Sequence, residues 1–189
     1  MKARIFAIGV VLMFIGCGGG TQYRDASKDT GSIEWGPREI KTTVVKMVGS
    51  LYKYLKGDWN QPCLIKVQRI KNDTAEHIDT KMLADEIVTN LIQMRIQFVD
   101  DSYSKEALAE MEKGMTGLVD PDSAVPVGNL KSPNLYLYGT ISENVRYVGG
   151  KKVQYLVVTL AMKELKTQLL KWMDRQEFLK ATTTDRISF

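Results

Sequence analysis

The chain has 189 residues, of which 44% are hydrophobic, 25% charged and 8% aromatic. That composition excludes collagen, low-complexity disorder and a disulfide-dense miniprotein, and the length suits one domain with a sizeable core. The formal charge of +4 comes from 26 Lys+Arg against 22 Asp+Glu; without Lys2 and Arg4, which fall in a leader read below as removed, the balance is 24 against 22, a net of +2. Nucleic-acid binding needs a concentrated basic stripe, and no such stripe is present.

Residues 1–16 read as a signal peptide. Met1-Lys2-Ala3-Arg4 is a positive n-region, and Ile5 to Ile15 is an unbroken apolar run. A membrane-spanning helix needs about 20 apolar residues, so this run is too short to span. Phe14-Ile15-Gly16-Cys17 then places a small residue before a cysteine, which resembles the lipobox of bacterial lipoproteins, with Phe14 where Leu is usual. Cys17 is the expected lipidation site. Each buried CH₂ contributes roughly 0.8 kcal/mol, so two or three acyl chains hold a protein to a membrane without a transmembrane helix. No Asp follows Cys17, which by the enteric sorting pattern favours the outer membrane. Residues 17–33 are mostly Gly, Ser, Thr and charged groups and read as a flexible tether. At about 3.3 Å per residue, it reaches only a few tens of ångströms when extended.

The folded domain is expected over 34–189. Gly36-Pro37 opens a first helix, with Glu39 near its positive end and a stripe of Ile40, Val44, Met47, Val48, Leu51 and Leu55. Cys63 to Ile70 reads as a strand, followed by a polar turn at Asn72-Asp73-Thr74. Asp79 and Thr80 cap a second helix to about Met94, with Leu83, Ala84, Ile87, Val88 and Leu91 inward. Ile96 to Val99 is a short strand. Ser104 caps a third helix with Leu108, Met111 and Met115 on its buried face, ending near Gly114 or Gly117. Asp120-Pro121-Asp122 starts a short fourth helix that Pro126 limits to a turn or two.

The last third is a meander. Leu135 to Val148 alternates, Gly149-Gly150 is a two-residue hairpin turn, and paired residue numbers must then sum to 299. Ile141 faces Val158 and Leu137 faces Met162, so both apolar sets fall on one side. A third strand, about Leu169 to Leu179, carries Leu170, Trp172 and Phe178 on one face; its phase depends on the loop before it. The fold class is α/β: a single-domain sandwich of a mixed sheet, with a C-terminal antiparallel meander and packed helices.

No constellation for catalysis is visible. His77 is the only histidine, which argues against a His-rich metal site and a catalytic triad. Cys63 reads as a small buried hydrophobe, and with Cys17 acylated no intramolecular disulfide forms. No Gly-rich phosphate loop lies between a strand and a helix. Asp100-Asp101 read as solvated loop carboxylates without a partner group. The reading is a non-enzyme with no cofactor, no metal and no small-molecule substrate.

Three stretches carry a family resemblance: Ile65 to Leu91, Asn134 to Arg146, and Tyr155 to Trp172. They resemble the LpoB-type penicillin-binding protein activators, outer-membrane lipoproteins related in fold to the periplasmic domain of the curli secretion lipoprotein CsgG. The family's N-x-T turn is matched by Asn72 and Thr74, its Y-G-x-(I/A) strand by Tyr138, Gly139 and Ile141, and its T-G-x-x-x-W hairpin by Thr167 and Trp172, with Gln168 in place of the Gly. The resemblance implies a lipid-anchored protein on the periplasmic face of the outer membrane. It would bind a bifunctional (class A) penicillin-binding protein and activate it allosterically. The tether departs from the long Pro-rich one of well-known enteric members. Partner contacts are expected from aromatic and Arg side chains on the sheet face away from the core, namely Tyr136, Tyr138 and Arg146, with Tyr138 the one most readily absorbed into packing. The alternative is a CsgG-like envelope assembly or secretion subunit, although no pore-forming hairpins are inserted in the domain.

Overall fold

A computed structural model describes residue 25 and residues 34–183. The leader, Cys17 and nearly all of the tether lie outside the described residues. The elements are α1 (Pro37–Gly57), β1 (Leu64–Asp73), α2 (Thr80–Gln93), β2 (Gln97–Phe98), α3 (Ser104–Met115), β3 (Leu135–Val148), β4 (Lys151–Glu164) and β5 (Leu170–Thr183). The five strands form one mixed sheet in the order β2-β1-β3-β4-β5. β1 runs parallel to β2 and β3, while β3, β4 and β5 form the antiparallel meander.

One sheet face carries α1 and α2. The expected α1 stripe is buried throughout, and it meets Leu83, Ile87 and Leu91 of α2 in a core with Ile65, Leu135, Leu137, Ile141, Val158 and Leu160. Each such side chain contributes roughly 1.5–3 kcal/mol relative to exposure. Asp79 caps α2 as its type predicts, accepting the Met82 N–H at 3.0 Å. Trp172, the hairpin tryptophan, is buried and donates its indole N–H to the Ser50 hydroxyl at 3.3 Å, tying β5 to α1.

The connection from β2 to β3 runs back across β1, in the direction opposite to the β1–α2–β2 crossover. Right-handed crossovers therefore put α2 and the β2–β3 connection on opposite faces. Lys66 shares the outer face with Tyr136 and pairs with Asp101 at the entrance to α3, as this requires. Met111 is buried outside the main core.

Several expectations are corrected. Leu108 and Met115 are exposed, and Met111 is the buried residue of α3, because the helix does not join the core that α1 and α2 form on the sheet. Ser104 does not cap: its hydroxyl donates to the Asp101 carbonyl, and Tyr103 takes the N-cap position. The Asp120 segment is a turn, with Asp120 accepting from the Asp122 N–H, and forms no helix. Asp100 and Asp101 are exposed but partnered, by Ser102 and Lys66 respectively. Leu170 leaves the face of Trp172 and Phe178, because a register shift between Met162 and Lys163 turns it out; it is 52% exposed.

The β4–β5 connection contains the family departure. Gln168 sits at φ 61°, a left-handed conformation that glycine adopts without a Cβ clash. Gln168→Gly is expected to stabilise the domain by about 0.5–1 kcal/mol, read as a rise of roughly 2–4 °C in Tm per kcal/mol. No rise would mean that the Gln168 amide, which donates to the Leu165 carbonyl at 2.7 Å, offsets the strain.

Candidate functional site

The hairpin pairs Leu135–Glu164 through Val148–Lys151 without a break, with Ile141 opposite Val158 and Leu137 opposite Met162. Odd-numbered β3 residues therefore face the helices. Tyr136, Tyr138 and Arg146 stand on the outer face, opposite Lys163, Ala161 and Val153.

That face has two ends. At the β2 side Ala161 is buried and Tyr136 and Tyr138 are half-buried. Toward the Gly149-Gly150 turn the face is open. Its cross-strand rows are Ser142, Val157 and Glu177, then Asn144, Tyr155 and Leu179, then Arg146, Val153 and Ala181. Arg146 is exposed and stands apart from the two tyrosines, so the three expected contact residues do not form one cluster. Arg146 stands opposite Val153, with Tyr155 and Leu179 in the adjacent row; Leu179 is not legible in the sequence, because the phase of β5 depends on the loop before it. The 299 sum already placed Tyr155 opposite Asn144, and that was the usable signal. Burial, then the Glu177 carboxylate, push the Tyr155 hydroxyl above its ordinary range, so it stays a neutral donor at physiological pH.

The helix-facing side of the same hairpin is fixed by a polar node. Gln154 is buried, and its amide N–H groups donate to Glu76 Oε1 and Glu143 Oε2, each at 2.7 Å. Glu76 Oε2 accepts the Trp35 N–H at 3.0 Å, and Glu143 also accepts the Ala75 N–H. The loop beyond β1 is ordered by the N-x-T residues. Asn72 Oδ1 accepts the Thr74 N–H and hydroxyl, and the Asn72 amide donates to the Glu76 carbonyl. The turn motif thus orders the loop that carries Glu76, and Glu76 and Glu143 fix Gln154 on the helix-facing side of the hairpin.

The Ala75 N–H and, secondarily, the Gln154 amide hold the Glu143 carboxyl below its ordinary value near 4.5, against the opposing effect of burial. A lowered folded pKa stabilises above the ordinary value, and the contribution is lost as pH falls through the lowered one. The urea midpoint should therefore fall as pH drops below about 4.5, and Glu143→Gln should flatten that acid limb. An unchanged limb would remove Glu143 as its source.

Cys63 is poorly suited to act as a nucleophile. Burial pushes the Cys63 thiol up to about 11, so the reactive thiolate is scarce at neutral pH. Cys63 precedes β1 and His77 follows it, and the two line different clefts, Cys63 beside Trp59 and Gln97 and His77 beside Val67 and Ile70. Among the described residues no group of three or more His, Cys, Asp or Glu gathers as a metal site, and no helix is long and apolar enough to cross a membrane.

A family model described as peptidoglycan-synthase activator LpoB matches residues 39–178. Among solved structures the chain is similar to the LpoB C-terminal domain from Escherichia coli, at 13% identity and TM-score 0.43, covering 70% of this chain and 94% of that one. It is similar to the LpoB C-terminal domain from Salmonella enterica at 15% identity and TM-score 0.38, covering 74% and 94%. The solution structure of Escherichia coli LpoB matches at 12% identity and TM-score 0.38, covering 96% of this chain and 87% of that one. No curated protein sequence matches. The family match does not favour the secretion-subunit alternative, and with more than half of its length matched by that one model, the chain belongs to the LpoB family of peptidoglycan-synthase activators.

Proposed function

We propose that this protein is an outer-membrane lipoprotein, anchored through acylated Cys17, that binds a class A penicillin-binding protein and activates it allosterically. The observation that carries the reading is the family match over residues 39–178, joined to the lipobox-like Phe14-Ile15-Gly16-Cys17. The partner contact is assigned to the open sheet face, with Arg146 as its charged anchor and Tyr155 beside it. Tyr136 and Tyr138, half-buried at the other end, contribute at its margin. A rigid sheet presenting Arg and Tyr suits a contact that shifts a partner between conformations, because interfacial binding energy concentrates in such residues. The short tether then requires the partner's docking domain to approach the outer membrane closely.

The test is glycan-strand synthesis by the organism's own class A penicillin-binding protein, with and without a soluble form beginning at Thr21. A rate increase with direct binding supports the reading; no binding and no stimulation sink it. Arg146→Glu should weaken binding about tenfold or more, the scale of an interfacial hot spot, while leaving Tm unchanged, since the side chain is exposed. Unaltered affinity would move the contact off this end of the sheet.

A further inference from the structure

The sheet has one long open edge. β5 pairs with β4 along Leu170–Thr183, and among the described residues no strand pairs with its other side. The tight hairpin fixes which groups are turned outward. Val148 and Lys151 flank a two-residue turn and bond to each other, so even-numbered β4 residues bond toward β5. By strand alternation the main-chain groups of Met173, Arg175, Glu177 and Leu179 are turned to the open edge. Met173 is 57% and Leu179 69% exposed. Arg175 and Glu177 lie on the same outer face and pair with each other at 3.0 Å at the surface.

An edge of this kind accepts an antiparallel strand, and its sequence specifies which one. We infer that the occupant is a second copy of β5, paired antiparallel about a two-fold axis at Gln176, so that two sheets join into one with the helices of both copies on the same side. In that register Arg175 stands opposite the partner's Glu177, Glu177 opposite the partner's Arg175, and Met173 opposite the partner's Leu179. Opposite charges and apolar pairs across strands stabilise, and like charges repel. Moving the axis one residue either way would set Arg175 opposite Arg175 or Glu177 opposite Glu177, like charges that repel across the pair. An axis at Phe178 sets Arg175 opposite Ala181 and Glu177 opposite Leu179. Charge complementarity therefore selects the Gln176 register. A second observation lies on the axis itself. The buried Oε1 of Gln176 has no hydrogen-bond partner among the described residues, and in this register a rotation of its terminal torsion brings it to the partner's Gln176 amide. Such an isologous two-fold contact closes on itself and does not propagate. The inference is independent of the proposed partner enzyme, and its failure leaves that reading untouched.

Gln176 would occupy a non-hydrogen-bonded pair, with Cα atoms about 4.5 Å apart, within the range a disulfide spans. The full chain carrying Gln176→Cys, expressed in its bacterial envelope and oxidised, should give a disulfide dimer on non-reducing gels. The exposed α3 variant Lys105→Cys should not. Adding Arg175→Glu or Glu177→Arg to Gln176→Cys sets like charges opposite each other twice and should cut dimer yield about tenfold. Co-expressing these two reversed chains restores both opposite-charge pairs and should recover a heterodimer. Crosslinking of Gln176→Cys no greater than that of Lys105→Cys overturns the proposal. So does equal crosslinking of the single reversals, no recovery on co-expression, or a crosslinked band of another mass, which would assign the edge to a different protein.

Discussion

Replacing Lys180 by Met should destabilise the domain by about 3–5 kcal/mol, the cost of leaving one charge of a buried pair without its partner. The Lys180 ammonium lies 2.9 Å from Glu39 Oε1, with the two side chains only 12% and 5% exposed. It also donates to the Glu34 carbonyl at 2.7 Å. Glu39 has its own second duty, accepting the Gly36 N–H at 3.0 Å where α1 begins. The pair therefore ties the first turn of α1 to the far end of β5. Lys180→Met keeps most of the aliphatic stem and removes the charge, which isolates the electrostatic loss from packing. The urea midpoint of the soluble form reads it. Glu39→Gln combined with Lys180→Met keeps the acceptor for Gly36 and abolishes the orphan charge, so the double variant should recover most of the loss. A single variant within about 1 kcal/mol of the parent, the range of a surface pair, would show that water reaches Glu39 readily.

That pair marks a boundary of what the sequence discloses. Helical periodicity placed every buried apolar residue of α1, though not the buried Glu39 and Thr43, and the 299 pairing sum fixed the whole β3–β4 ladder, because both follow from local geometry. Glu39 was read only as a favourable charge at a helix end, since nothing local says that Lys180, far along the chain, returns to cover it. The same holds for Gln154, whose partners Glu76 and Glu143 come from a loop and a neighbouring strand. The α3 stripe failed for a related reason. Leu108, Met111 and Met115 have helical spacing, but tertiary placement leaves room for only Met111 to be buried. At the candidate site, Arg146 and the tyrosines were placed on the correct side by alternation alone. Their separation into an open and a half-buried end is tertiary, which no periodicity encodes.

Gly139→Ala should cost about 1–3 kcal/mol or more, the range of overpacking in a core without space. A Cβ at Gly139 would lie 2.6 Å from Leu160 Cδ2 and 2.6 Å from the Thr159 carbonyl oxygen. The leucine methyl can rotate away, but the carbonyl belongs to the β4 ladder and moves only if the central strand pair opens. The demand is local to this position, because β1 shifts register between Val67 and Ile70 and brings Ile70 opposite Gly139. Ile70 Cγ1 would itself lie 3.7 Å from the added carbon, so the methyl has no retreat toward β1. This gives the Y-G-x-I pattern at Tyr138, Gly139 and Ile141 a physical cause: the glycine lets two ladders meet at a bulge. Because the obstacle is backbone, shaving the side chain should not relieve it, and Gly139→Ala with Leu160→Ala should be less stable than either single variant. Rescue in the double variant would instead assign the constraint to Leu160. The open face carrying Arg146 lies along the same β3–β4 pair, so a Gly139→Ala protein that still folds should also bind its partner more weakly. Loss of binding with an unshifted urea midpoint would mean that Gly139 acts on the interface directly.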